Sequence, residues 1–272
     1  MGLRIEVLGP MVATRDGQRV GLGGPKAEAV LATLVHHLGR VVPVGMLIEA
    51  LWGDTPPPSA RNVVQVKVSL LRRCLGPTFK LRTVNGGYQL MDTGLTVDLD
   101  EFERMVRSAE ANLQSDPAGA ARAAQRAIVR WRGDPADGRE NRAIRHSVAR
   151  LRERLVDARV VLLDARLRLG EHRACCADAA ELADEHPIRE DLRGLHMLAL
   201  YRSSRQIEAL AAYERARSML VEEFGVEPGP ELRALHLRML RQDPALDLGG
   251  PPPDRGGALS AVVPTVVSAQ RR

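Results

Sequence analysis

Asn62, Gln65, Val66, Ser69 and Arg73 fall at three- and four-residue intervals in S59-A-R-N-V-V-Q-V-K-V-S-L-L-R-R-C-L-G76. Side chains of these types share one chemistry, the reading of a nucleic-acid duplex. Asn, Gln and Arg hydrogen-bond base edges in a major groove, Arg and Ser hold phosphate, and Val meets a thymine methyl. The intervals carry that meaning only on a helix, and a second pattern competes. Val64, Val66, Val68 and Leu70 alternate with Gln65, Lys67 and Ser69, as in a half-buried strand. Length and punctuation favour the helix. The 17 residues from Ser59 to Leu75 exceed a typical strand, Pro56–Pro58 and the N-cap candidate Ser59 precede them, and Gly76-Pro77 follows. Val64, Val68, Leu71 and Leu75 then form the buried face. Their burial, at roughly 1.5–3 kcal/mol per side chain, exceeds the few tenths that each β-branched valine costs a helix. An isolated helix with a solvated polar face would look the same, so the neighbouring elements must decide.

Other groupings of reactive residues support no catalysis. G21-L-G-G-P-K26 lacks the spacing of a phosphate loop, Ala27 stands where a Mg²⁺-binding hydroxyl is needed, and Pro25 removes a backbone N–H. His36-His37 and Cys175-Cys176 are adjacent pairs that diverge by about 100° on a helix, with no C-x-x-C or H-x-x-x-H to support them. They read as core or interface positions, as do Trp52, Trp131 and Tyr201. No nucleophile–base signature is present, so neither an enzyme nor a bound cofactor or metal is expected. Three cysteines make no disulfide framework, which fits a reducing cytoplasm. No apolar run approaches the roughly 18–20 residues of a membrane span, and M1-G-L-R-I-E-V-L-G9 reads as a strand. A cytoplasmic, nucleoid-associated protein is the expectation.

Charge is unevenly placed. Residues 1–90 hold 11 Lys/Arg against 5 Asp/Glu, and residues 91–272 hold 28 against 29, so the net +5 belongs to the first third. A basic region beside a neutral one suits a polyanionic partner. Aromatics are 3% of residues, so the core must be aliphatic.

The elements that would position the polar face follow from turn signals and periodicity. Leu3–Leu8, Met11–Thr14 and Gln18–Leu22 read as strands, with Asp16-Gly17 as a turn. Pro25 opens a helix with the apolar face Ala27, Val30, Leu31, Leu34, Val35 and Leu38, closed by Gly39. A second helix spans Met46–Trp52, and Asn85-Gly86-Gly87 marks a hairpin within residues 81–91. From residue 97 to 241 helical spacing is almost unbroken. R166-L-R-L-G-E-H-R-A174 aligns with L200-Y-R-S-S-R-Q-I-E208 at an offset of 34, the period of tetratricopeptide helix pairs, which predicts about three pairs with the first degenerate. Three helices followed by a glycine-rich hairpin are the layout of a winged helix-turn-helix.

Residues 3–91, ending in T83-V-N-G-G-Y-Q-L90, resemble the winged-helix domain of the OmpR-type response regulators. V41-V-P-V-G-M-L-I-E-A-L-W-G-D54 followed by P58-S-A-R-N-V-V-Q-V-K-V-S-L-L-R-R73 is more similar still to the Streptomyces antibiotic regulatory protein (SARP) family. D98-L-D-E-F-E103, E185-H-P-I-R-E190, M197-L-A-L-Y-R202 and E222-E-F-G-V-E-P-G-P-E-L232 resemble that family's bacterial transcriptional activation domain. The resemblance implies an α+β N-terminal winged helix-turn-helix (residues 1–92) and an all-α tetratricopeptide-like helical-repeat domain (97–243), while Gly249-Gly250-Pro251-Pro252-Pro253 and low hydrophobicity predict a disordered tail (244–272). It also implies an activator of a secondary-metabolite gene cluster. Such a protein binds direct repeats of promoter DNA near the −35 region, sits head to tail with a second copy, and recruits RNA polymerase through the primary sigma factor. By analogy Asn62, Gln65, Val66, Lys67, Ser69, Arg72 and Arg73 face DNA, with Arg82, Thr83 and Asn85 at the wing. Leu70 stands near the groove where the family usually has Arg, and Gly45 where an acidic N-cap is common. The alternative is a helical-repeat adaptor, or a ligand-sensing regulator, whose basic winged domain binds protein or nucleic acid without specificity.

Overall fold

The computed structural model describes residues 2–135 and 141–247. They fall into two compact units that divide between Arg166 and Leu167. No helix among the described residues is long and apolar enough to cross a membrane.

The first unit opens with β1 (Leu3–Glu6), β2 (Val12–Arg15) and β3 (Gln18–Val20), an antiparallel meander turned by Asp16 and Gly17, both at positive φ. Then come α1 (Pro25–His36), β4 (Val41–Pro43), α2 (Val44–Trp52), α3 (Ala60–Leu75), β5 (Leu81–Val84), β6 (Gly87–Leu90) and β7 (Leu95–Val97). β7 joins the first sheet parallel to β1, giving the order β3-β2-β1-β7, while β4, β6 and β5 form a second, three-stranded sheet. The expected first strand stops short because Val7 and Leu8 turn their N–H groups away from the ladder. They donate instead to the two carboxylate oxygens of Asp98, at 2.8 and 3.1 Å. β4 and β7 were not expected, since three residues carry no readable period.

The stretch from Ser59 is a helix. Val64, Val68, Leu71 and Leu75 are each at most 1% exposed and share an aliphatic core with Leu3, Ile5, Leu31, Leu34 and Leu47. Two details of helix starts differ from the sequence reading. Ser59 occupies the cap position of α3, but its hydroxyl makes no capping bond; only its carbonyl is used, by the Val63 N–H at 3.1 Å. The cap of α2 is Pro43, which places Gly45 inside the first turn rather than before it.

The same unit continues through α4 (Asp98–Asn112), α5 (Pro117–Val129) and most of α6 (Arg145–Arg168). Phe102, Val106, Leu151 and Leu155 form their core, joined by Leu8 from the end of the first strand. Polar ties reinforce the junction. Arg4 donates to both oxygens of Glu101 at 3.2 and 3.0 Å, and His36 Nδ1 lies 2.8 Å from Ser147 Oγ.

The second unit comprises α7 (His172–Glu185), α8 (Glu190–Arg202), α9 (Gln206–Phe224) and α10 (Pro230–Leu240). Its 34-residue repeat is real in backbone terms. Gly170 and Ser204 both adopt positive φ, 86° and 63°, in the turns before α7 and α9. Cys175 and Cys176 are buried in α7, and Cys176 Sγ lies 3.5 Å from Ser203 Oγ. The segment expected to be a tail begins with a 3-10 turn, Pro244–Leu246, whose Leu246 is buried and accepts a 2.8 Å bond from Arg202. The rest of that segment, from residue 248, lies outside the described residues.

Candidate nucleic-acid interface

The burial of one face of α3 leaves the opposite face in solvent. Asn62, Gln65, Val66, Ser69 and Arg73 are all exposed, so the helix brings together the five side chains that the three- and four-residue intervals group. Val66 is 55% exposed, which is unusual for a valine in a core-forming helix. It becomes intelligible if the face is covered by something that offers methyl groups. Lys67 is half-buried at the edge of this face. Arg61 is also exposed, four residues before Gln65, and sequence reasoning missed it although the spacing was available.

Leu70 does not share the exposure of its neighbours. It is half-buried against the winged-domain core. A Cβ built on Gly23 would lie 2.4 Å from Leu70 Cδ2, so this leucine fills the space over the glycine turn that leads into α1. Its role in this chain is packing, which corrects the expectation of a groove-side residue.

Arg72 is likewise turned inward. Its Nε and one Nη donate to the Leu81 carbonyl at 3.2 and 2.7 Å, the same Nη donates to Thr83 Oγ1 at 2.9 Å, and the guanidinium carbon sits 5.9 Å from the Tyr88 ring centroid. One arginine thereby clamps α3 to β5 of the hairpin. Thr83 is exposed but its hydroxyl is engaged by Arg72, while Arg82 and Asn85 are exposed at the hairpin.

The hairpin itself is fixed by glycine geometry. Asn85 and Gly86 form its two-residue turn, with Gly86 at φ 82°. Gly87 serves a different purpose, because a Cβ there would lie 2.3 Å from the Val42 carbonyl oxygen. Only a glycine lets β4 approach β6, and the Val44 N–H then bonds the Gly86 carbonyl at 3.0 Å. The recognition face and the hairpin are thus held on one frame. A cleft of about 540 Å³ lies where the C-terminal end of α3 turns into β5, edged by Arg72, Lys80 and Arg82.

Charge pairing distinguishes this face from the arginines gathered around α4. Arg4, Arg130, Arg132 and Arg154 all have carboxylate partners within 4 Å. Arg61, Lys67, Arg73, Lys80 and Arg82 have no ion pair among the described residues. Arg15, Arg19, Lys26 and Arg40 have no ion pair among the described residues either, so α3 and the hairpin hold a part of the uncompensated positive charge of the first third. Uncompensated cations on one surface attract a polyanion at a distance and release its counterions on contact. Elsewhere, the adjacent histidines serve separate ends: His36 Nδ1 meets Ser147 Oγ, while His37 Nδ1 meets the Thr33 carbonyl at 2.8 Å.

Comparison with known proteins agrees with this geometry. The family model described as "Bacterial transcriptional activator domain" matches residues 97–240, and that described as "Transcriptional regulatory protein, C terminal" matches residues 17–90. The chain is 40% identical over 252 residues to the regulatory protein AfsR of Streptomyces coelicolor, covering 90% of this chain but 25% of AfsR. It therefore spans about a quarter of the length of that relative. It is 35% identical over 261 residues to the regulatory protein DnrI of Streptomyces peucetius, covering 92% of this chain and 96% of DnrI. Among solved structures, EmbR of Mycobacterium tuberculosis, determined with a low-affinity phosphopeptide, superimposes with a TM-score of 0.81 at 37% identity, over 88% of this chain and 65% of EmbR.

Proposed function

This chain belongs to the SARP family of transcriptional regulators, which join an OmpR-type winged helix to a bacterial transcriptional activator domain, and from that premise we propose how it works. The winged domain reads promoter DNA with α3 in the major groove. Asn62, Gln65, Val66, Ser69 and Arg73 meet base edges and thymine methyls, and Arg61 and Lys67 meet phosphate. Arg82 and Asn85 reach the adjacent backbone from the hairpin, and Arg72 with Thr83 fixes the distance between helix and hairpin. The sites are direct repeats near the −35 region of a secondary-metabolite cluster. Two copies sit head to tail on them, and the helical domain recruits RNA polymerase through its primary sigma factor.

The observation that carries the reading is the strip of exposed polar side chains and unpaired cations on α3 and the hairpin. A footprint of the full chain on the promoters of its neighbouring genes tests it. Protection of two same-orientation repeats one or two helical turns apart is expected. With about five cations on phosphate, log affinity should fall against log salt with a slope of about −4 to −5. Equal affinity for scrambled DNA would overturn sequence reading and return the adaptor alternative.

A further inference from the structure

The helical unit holds a groove that DNA binding leaves unused. It has a volume of about 440 Å³ and is lined from three successive helices, with Ala177 and Ala211 open in its lining beside Arg173, Arg205, Glu208 and Arg215, over the buried Leu200. Arg205 is already neutralised, its guanidinium bound to both oxygens of Glu208 at 2.7 and 2.6 Å. Arg173 and Arg215 have no ion pair among the described residues. The groove therefore combines apolar side chains with two free guanidinium groups, and its natural occupant is an acidic segment that also carries exposed apolar side chains.

Such a segment exists at the far end of α9, in V221-E-E-F-G-V-E227. Glu222 and Glu223 are exposed and have no ion pair among the described residues, whereas Glu227 is held by Arg217 at 2.8 Å. Val221, Phe224 and Val226 are 39%, 52% and 51% exposed. In a chain with three phenylalanines, the other two, Phe79 and Phe102, are at most 4% exposed, so Phe224 departs from the pattern. The segment cannot reach the groove of its own molecule. Arg215 and Phe224 lie on one continuous helix, about 13 Å apart along its axis at the usual rise per residue. The two surfaces can meet only between molecules.

We propose that the end of α9 of one copy docks in the groove between α7, α8 and α9 of the next, with Glu222 and Glu223 against Arg173 and Arg215 and with Phe224 against Ala177 and Ala211. The contact uses different surfaces on the two copies, so it is heterologous and directional. That is the geometry required of copies aligned in one orientation on tandem sites, and this setting rests on the direct-repeat reading; the contact itself does not. A single helix end buries less than the roughly 1,000 Å² of a stable interface. Association is therefore weak in free solution and strengthened when DNA holds two copies adjacent.

Sedimentation velocity of the full chain without DNA, from micromolar to near-millimolar concentration, tests the contact. The wild type should show a sedimentation coefficient that rises with concentration. Arg173→Glu/Arg215→Glu and, separately, Glu222→Lys/Glu223→Lys should each raise the dissociation constant at least about tenfold, as like charges face each other. An equimolar mixture of the two variants should regain association, since each supplies the surface that the other has inverted. If charge reversal unfolds the helices, as judged by circular dichroism, Arg173→Gln/Arg215→Gln takes its place with the same expected loss. A wild type that stays monomeric throughout, a variant that associates as the wild type does, or a mixture that recovers nothing would each overturn the proposal. A failed footprint would overturn the DNA reading and leave the sedimentation result standing.

Discussion

Arg73 has no hydrogen-bonded or ionic partner among the described residues, whereas Arg72 beside it donates three hydrogen bonds to the hairpin. A one-residue step on a helix rotates the side chain by about 100°, which is enough to divide outward from inward duty. Replacing Arg73 by Ala should weaken promoter binding by about 1–3 kcal/mol, the worth of a bidentate base contact, and leave the melting temperature unchanged. Replacing Arg72 by Ala should do the reverse in order of cause. The charge-assisted bonds to Leu81 and Thr83 are lost, folding stability falls by about 1–3 kcal/mol, and DNA affinity falls only because the hairpin loosens. Fluorescence anisotropy on a promoter fragment and thermal melts of the same samples separate the two. If Arg73→Ala lowers stability while affinity is untouched, the assignment of its face to DNA is wrong. Sequence alone grouped these arginines as one pair of contacts because periodicity reports a face and not the partner that a long side chain finds. Leu70 was misread for the same reason: its position was legible, but the glycine turn that it covers is 47 residues away in the chain.

At the scale of elements, what was legible depended on length. α3 was recovered because its buried face repeats over four turns, and the hairpin because Asn85-Gly86 has a strong turn signature. β4 and β7 were not, since each is three residues long and exists through pairing with a distant strand. The sequence reading assigned both glycines of the hairpin to the turn, yet only Gly86 needs positive φ. Gly87→Ala tests that distinction. Its Cβ would press on the backbone carbonyl of Val42, which cannot rotate away as a flexible side chain would. Either β4 or the hairpin must shift, at a cost of about 1–3 kcal/mol in a denaturant melt. A fully stable Gly87→Ala protein would show that β4 is free to move. The turn before α9 gives the opposite case. Ser204 holds φ 63° where the matching turn before α7 has Gly170. Ser204→Gly removes the left-handed strain, and after the added flexibility of the unfolded chain it should raise stability by about 0.5–1 kcal/mol. Thermal melts would detect this, and a loss of stability would mean that the serine earns its place through contacts rather than tolerating strain.

At the scale of the whole molecule, the winged module and the helices that follow it are not separated by a free linker. The boundary suggested by composition near residue 97 lies inside the first compact unit, because Asp98, Glu101 and Ser147 reach back to Leu8, Arg4 and His36. That junction gives the protein a defined response to acid. Burial, aided by the neighbouring His37 and Arg150, lowers the pKa of His36 from 6.5 to about 4. A folded-state pKa below the unfolded value means that the unfolded chain takes up the proton first. Stability is therefore fully present above pH 6.5 and is lost as pH falls towards 4, by about 3 kcal/mol in total for a shift of this size. The pKa values of His172 and His196 are also lowered by burial and act in the same direction, so the measurement must be a difference. In His36→Gln the amide keeps a partner for Ser147 but has no proton to gain. The gap in unfolding free energy between wild type and variant, followed by urea titration from pH 7 to 4.5, should move in favour of the variant as the solution is acidified. The steepest change should approach the 1.4 kcal/mol per pH unit of a single proton. A gap that stays constant over that range would mean that His36 takes up its proton as readily in the folded protein as in the unfolded chain, and that its burial does not hold the ring neutral.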